Sequence, residues 1–206
     1  VMQGRLSKKI ENRIQAFPER YWKTEFSKAK AIGLKSIEWT LDYKNLKYNP
    51  ILNKKGRSQI KKLKKKNSIK INSITGDCFM QNPFWKKKNN QKLLNDLIEI
   101  IKSCRILGIK FLVLPLVDNG SIANKNDENN LINSCKYVLN HLKNSDLKII
   151  FESDYSPKRL KRFIEKFDKK YFGINYDVGN SAGLGYKIDD EFKIYGKYIC
   201  NVHIKD

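Results

Sequence analysis

Three residues with metal-binding side chains stand at the ends of three short apolar runs. Glu152 ends LKIIFE, Asp177 ends YFGINYD and His203 ends YICNVH, at intervals of 25 and 26 residues. That interval is about the length of one strand–helix repeat in an eight-fold barrel of roughly 250 residues. Parallel strands of such a barrel end on one rim, where active sites sit. A Glu, an Asp and a His on consecutive strand ends would therefore converge. Two carboxylates and an imidazole suit a divalent ion such as Mn²⁺, Mg²⁺, Co²⁺ or Zn²⁺. Each residue alone has a plainer role: Glu152 as a loop acid beside a cap, Asp177 as a turn residue, His203 as a hydrogen-bonded core histidine. The shared interval sets the group apart.

The elements that would position them alternate between strand and helix. Gln3–Leu6 reads as the end of a first strand, with Arg5 at the rim, as surface charge or facing an anionic group. Pro18–Ile32 carries a helical stripe and is stopped by Gly33. Leu34–Leu41 is a second strand. Its Glu38 is an acid in an apolar run, which needs a partner. That partner is either substrate hydroxyls or a buried basic group. Lys55–Lys66 is a basic helix and Ile69–Ile74 a third strand.

After it comes TGDCFMQNPFW, read as an aromatic loop. There Asp77 and Phe79 are candidates for the substrate site, Phe79 by covering the apolar face of a ring. The alternative is a loop packed on its own side chains. Gln91–Leu107 is an amphipathic helix closed by Gly108, and Lys110–Leu116 a continuous apolar run of the kind buried on both faces. Glu128–Leu142, Ser156–Phe167 and Asp189–Tyr195 are further helices, and GNSAGLGY a rim loop. This alternation is α/β with parallel strands, in one domain spanning residues 1–206. A doubly wound sheet shares the alternation.

Composition narrows the partners. The formal net charge is +21, which invites nucleic acid. The excess sits largely in Lys on helix faces such as KKLKKK, where a solvated surface is expected, and no RNA-binding or zinc-finger pattern is present. Cys78, Cys104, Cys135 and Cys200 are scattered, as in reduced thiols of a cytoplasmic protein. No apolar run approaches the roughly 20 residues that span a bilayer.

The runs IIFESD, GINYDVGNS and NVHIKD resemble those of the xylose-isomerase-like TIM barrels. The opening MQGRLS, the stretch RIQAFPERYWKTEFSKAKAIGLKSIEW and the run SITGDCFM resemble the sugar-phosphate isomerase/epimerase subgroup. The resemblance decides between the two α/β folds in favour of a (β/α)₈ TIM barrel. It implies one divalent metal ion, Mn²⁺ foremost, bound by Glu152, Asp177, His203 and a later Glu. It implies that Glu152 doubles as acid/base, with the later Glu as its counterpart. Asp206 in HIKD would orient His203 or a nearby basic side chain.

The implied reaction is proton abstraction beside the carbonyl of a sugar or sugar phosphate, through an enediolate held at the metal. A dehydratase of the inosose dehydratase kind begins with the same step, and a non-catalytic binding module is a further alternative. An endonuclease IV-type centre needs several histidines, and the sequence has two. Seven strands can be read in 206 residues. The expectation is therefore an open barrel truncated after strand seven, lacking the fourth ligand. Such a barrel would bind metal weakly, turn over little, and carry strand edges that could pair in a homo-oligomer.

Overall fold

The computed structural model describes residues 1–10, 13 and 15–204. Its elements run α1 (Trp22–Ala31), β1 (Trp39–Thr40), α2 (Lys54–Asn67), β2 (Ser73–Thr75), α3 (Asp77–Gln81), α4 (Gln91–Leu107), β3 (Phe111–Leu116), α5 (Lys125–Leu142), β4 (Lys148–Ser153), α6 (Pro157–Ile164), β5 (Phe172–Asp177), α7 (Val178–Gly183), α8 (Ile188–Tyr195) and β6 (Ile199–His203). Among the described residues the six strands form one parallel sheet in sequence order, from β1 to β6. The sheet curls into a half-barrel with its helices outside, which matches part of a (β/α)₈ barrel.

The local causes are visible in the sequence. Leu94, Leu97, Ile98 and Ile101 recur at helical spacing and are buried along α4. Gly108, at φ +67°, closes that helix in the left-handed region. β3 is buried at every position after Phe111, as a strand flanked by strands and covered by helices must be. Phe151 of β4 packs on Phe163 of α6 and on Phe167 and Phe172, with ring centroids 5.1–6.0 Å apart. Cys78, Cys104 and Cys135 are buried free thiols.

Three expectations change. The first strand does not run over Gln3–Leu6. The pairing lies earlier: the Glu38 amide donates to the Val1 carbonyl (2.8 Å) and the Gln3 amide to the Glu38 carbonyl (2.9 Å). Gly4 then turns the chain at φ +94°, where an added Cβ would lie 2.3 Å from the Ala16 carbonyl oxygen. The buried Glu25 carboxylate fixes this turn by accepting from the Gly4 and Leu6 amides and the Ser7 hydroxyl.

The aromatic segment after β2 is not a loop over the site. It forms α3 and a short turn of 3₁₀ helix at Phe84–Lys86, with Phe79, Phe84 and Trp85 fully buried. Their rings meet edge to face at 5.4 and 4.9 Å, and the Trp85 indole donates to the Gly120 carbonyl (3.1 Å).

GNSAGLGY is not all loop either. The Asp177 carboxylate accepts from the Asn180 amide at 2.8 Å and caps α7. Among the described residues no helix is long and apolar enough to cross a membrane.

Candidate metal centre

The pleat of β5 and β6 sorts their side chains. In β5, Asn175 and Asp177 share one face while Tyr176 points away, its ring 5.3 Å from that of Phe192 in α8. In β6, Asn201 and His203 share a face. The register pairs Asn175 with Asn201 and Asp177 with His203. Two polar layers therefore stack inside the half-barrel. In the deeper one the Asn201 amide donates to the Asn175 carbonyl oxygen at 2.8 Å. Glu152, the penultimate residue of β4, reaches the same space.

One ligand atom each from Glu152, Asp177 and His203 lie within 4.8 Å of one another. His203 Nδ1 is 3.1 Å from Glu152 Oε2 and 3.7 Å from Asp177 Oδ2. Its other nitrogen, Nε2, is 2.9 Å from Glu38 Oε1. Amides hold both oxygens of Glu152: Asn175 Nδ2 donates to Oε2 and Asn180 Nδ2 to Oε1, each at 2.8 Å. Asn175 Nδ2 also lies 3.0 Å from His203 Nδ1.

A hydroxyl cluster supports β5 from behind. Glu191 of α8 accepts from Tyr176 (2.8 Å), Tyr195 (2.6 Å) and Ser181, tying α7 and α8 to the strand that carries Asp177.

Burial would lower the basicity of His203, but the carboxylates of Asp177, Glu152 and Glu38 outweigh it and hold the imidazolium up to about 11. The carboxylates thus gather enough negative potential to retain a proton far above neutral pH. A divalent cation satisfies the same potential with one site, and the donor set of two carboxylates and one imidazole fits Mn²⁺, Mg²⁺, Co²⁺ or Zn²⁺.

Glu152 and His203 line a cavity of about 530 Å³ together with Arg13, Gln15, Asp77, Met80 and Asn180. Asp77 is buried there and accepts from Gln15 Nε2 (2.7 Å) and Thr75 Oγ1 (2.9 Å). Its burial pushes the carboxyl up to about 6, against the pull of those two donors.

The sequence-derived candidates divide. Glu152, Asp177, His203 and Glu38 come together, and Asp77 faces the adjoining cavity. Arg5 does not join them. It is exposed and outside the cavity lining, because the Gly4–Ser7 turn carries it away. The guanidinium at the cavity is that of Arg13, 3.1 Å from Asp42. Phe79 is a core residue, and Met80 lines the cavity instead. Asp206 lies outside the described residues.

Sequence reading missed Asn175, Asn180, Arg13 and Gln15. For Asn175 a signal existed: an amide two residues before Asp177 in a buried strand must share its face.

The sequence profile described as xylose isomerase-like TIM barrel matches residues 26–206. The chain belongs to this family. No curated protein matches. Solved structures with the same fold include D-psicose 3-epimerase from Clostridium cellulolyticum H10, with a TM-score of 0.72 and 14% identity over 90% of this chain and 68% of that one. The 3-keto-D-glucoside 4-epimerase from E. coli gives 0.70 and 14%, covering 89% of this chain and 73% of that one. The probable 3-DHS dehydratase of petrobactin synthesis from Bacillus anthracis gives 0.64 and 14%, covering 100% and 72%. At these identities the likeness is one of fold.

Proposed function

We propose that this family member is a divalent-metal-dependent isomerase or epimerase of a sugar or sugar phosphate. It would act by removing a proton beside a carbonyl. The observation that carries this reading is the convergence of Glu152, Asp177 and His203 within 4.8 Å. Two of the three line a cavity of about 530 Å³, a volume suited to a small ligand. Neighbours named as sugar epimerases support the choice of substrate class.

In this reading Glu152, Asp177 and His203 hold the ion, which when bound supplies a Lewis acid for the substrate carbonyl. Each oxygen of Glu152 accepts one amide hydrogen, and a carboxylate oxygen has two acceptor positions. The group therefore keeps capacity both to coordinate and to take the proton from the adjacent carbon. Asn175 and Asn180 fix its orientation. Arg13 and Gln15 offer donors for hydroxyl or phosphate oxygens at the cavity wall. The resemblance assigns return of the proton to a later Glu. Among the described residues Asp77, its carboxyl raised to about 6, is the group in the cavity suited to carry a proton near neutral pH.

A dehydratase is the second reading, favoured by the likeness to the 3-DHS dehydratase. The first proton abstraction is the same, and expulsion of a hydroxyl follows. Incubation of the chain with Mn²⁺ and a panel of keto-sugars, their phosphates and keto-inositols separates the two. An epimer or isomer supports the first reading and a dehydrated product the second. Intact substrates with no proton exchange in any of them, together with no Mn²⁺ binding at the Glu152–Asp177–His203 cluster, would remove both.

A further inference from the structure

Glu38 has no place in the cavity lining, and both of its oxygens are engaged elsewhere. Oε2 accepts from the Ser73 hydroxyl at 2.5 Å. Oε1 lies 2.9 Å from His203 Nε2, and neither of these two atoms has another hydrogen-bond partner. The backbone of Glu38 is pinned on both sides by Val1 and Gln3. This is therefore a buried, anchored acceptor facing one nitrogen of an imidazole. The other nitrogen, Nδ1, faces the Glu152 and Asp177 carboxylates at 3.1 and 3.7 Å, with the Asn175 side-chain amide 3.0 Å away.

A neutral imidazole offers a lone pair only at the nitrogen that carries no proton, and a hydrogen bond at one nitrogen decides which that is. We infer that Glu38 is a positioning residue for the metal centre. It takes the Nε2–H of His203, fixes the plane of the ring, and leaves Nδ1 as the atom presented to the ion between Glu152 and Asp177. Glu38 is then not a substrate-binding acid. Its carboxylate acts on the ion through the imidazole, by raising the basicity of the ligating nitrogen. The inference rests on the metal-centre reading above.

The chain has two histidines, so ring-¹⁵N labelling gives two imidazole patterns, and His141→Asn assigns them. In protein loaded with Zn²⁺, His203 is expected to carry its proton on Nε2 and its metal on Nδ1. Zn²⁺ titration supplies the second readout. Glu38→Gln keeps an acceptor oxygen and should hold affinity to within a few-fold of wild type. Glu38→Ala should lose about 10- to 100-fold. Rescue by Gln separates positioning from folding, and the wild-type ring pattern decides the matter even if the Ala variant does not fold.

A proton on Nδ1 in the Zn²⁺-loaded wild type would overturn the inference, as would unchanged affinity in Glu38→Ala, while leaving the metal centre standing. A wild type that binds no Zn²⁺ would overturn both.

Discussion

Asp177 and His203 are register partners across the β5–β6 ladder, at the end of both strands. Opposed residues of paired strands project to the same side, so no loop has to place these two groups. Asp177→Ala and His203→Ala should each weaken Mn²⁺ binding at least tenfold with far-ultraviolet dichroism preserved. Calorimetric titration checks this. Asp177→Ala should also lower thermal stability, because it removes the cap of α7, typically worth about 1 kcal/mol.

Asn175 is held between three polar partners: Glu152, His203 and Asn201. Replacing it by Leu leaves buried polar atoms unpaired and should destabilise the metal-free protein by about 1–3 kcal/mol. Asn175→Asp keeps the shape but adds a fourth carboxylate beside Glu38, Glu152 and Asp177. Its melting temperature should fall without metal and recover in part with Mn²⁺, because the ion offsets the added repulsion. Thermal melts with and without Mn²⁺ test both.

Asp77 sets a pH dependence. Its carboxyl is raised by burial from 3.8 to about 6, so between those values the folded state binds its proton more tightly than the unfolded state does. Stability from this group is therefore highest below about pH 4 and declines as pH rises to about 6. Asp77→Asn removes the penalty and should stabilise the metal-free protein at pH 7.5 by about 1–2 kcal/mol, after allowing for the weaker acceptor. That gain should shrink on going to pH 4.5. Urea melts at the two pH values measure it, and a gain independent of pH would contradict the assignment.

Phe79 belongs to the core. Phe79→Ala should cost about 3–5 kcal/mol. In whatever fraction remains folded, substrate KM should be unchanged. Met80→Ala should do the reverse, altering KM with a smaller loss of stability, since Met80 lines the cavity. Melting curves and steady-state kinetics on the two variants separate core from cavity wall.

The parts of the fold that could be read in advance are those in which one signal dominates. The stripe of Leu94, Leu97, Ile98 and Ile101 and the stop at Gly108 give α4 its full length. Glu152, Asp177 and His203 were legible because each ends an apolar run, and the repeat interval places those ends together. Glu38 was legible as a buried acid but not as the partner of His203, because that contact depends on how far the sheet curls. Phe79 and Met80 are neighbours with opposite fates. An apolar segment after a strand does not say which side chain faces the core once the segment coils into α3. Of the two roles open to Arg5, exposure fits surface charge, because its turn is set by Glu25, an acid of α1 that lies buried under the N-terminal backbone.

The most direct test of the central claim is Mn²⁺-dependent deuterium incorporation from solvent into a keto-sugar, compared between wild type and Glu152→Gln. Exchange needs one base beside the carbonyl and no second acid, so it reports Glu152 whichever group returns the proton. The wild type should exchange the proton on the carbon next to the carbonyl only with metal present. Glu152→Gln should reduce that exchange by about 10²–10⁴-fold even under saturating Mn²⁺. Exchange in Glu152→Gln near the wild-type rate would contradict the account, because the base would then lie elsewhere.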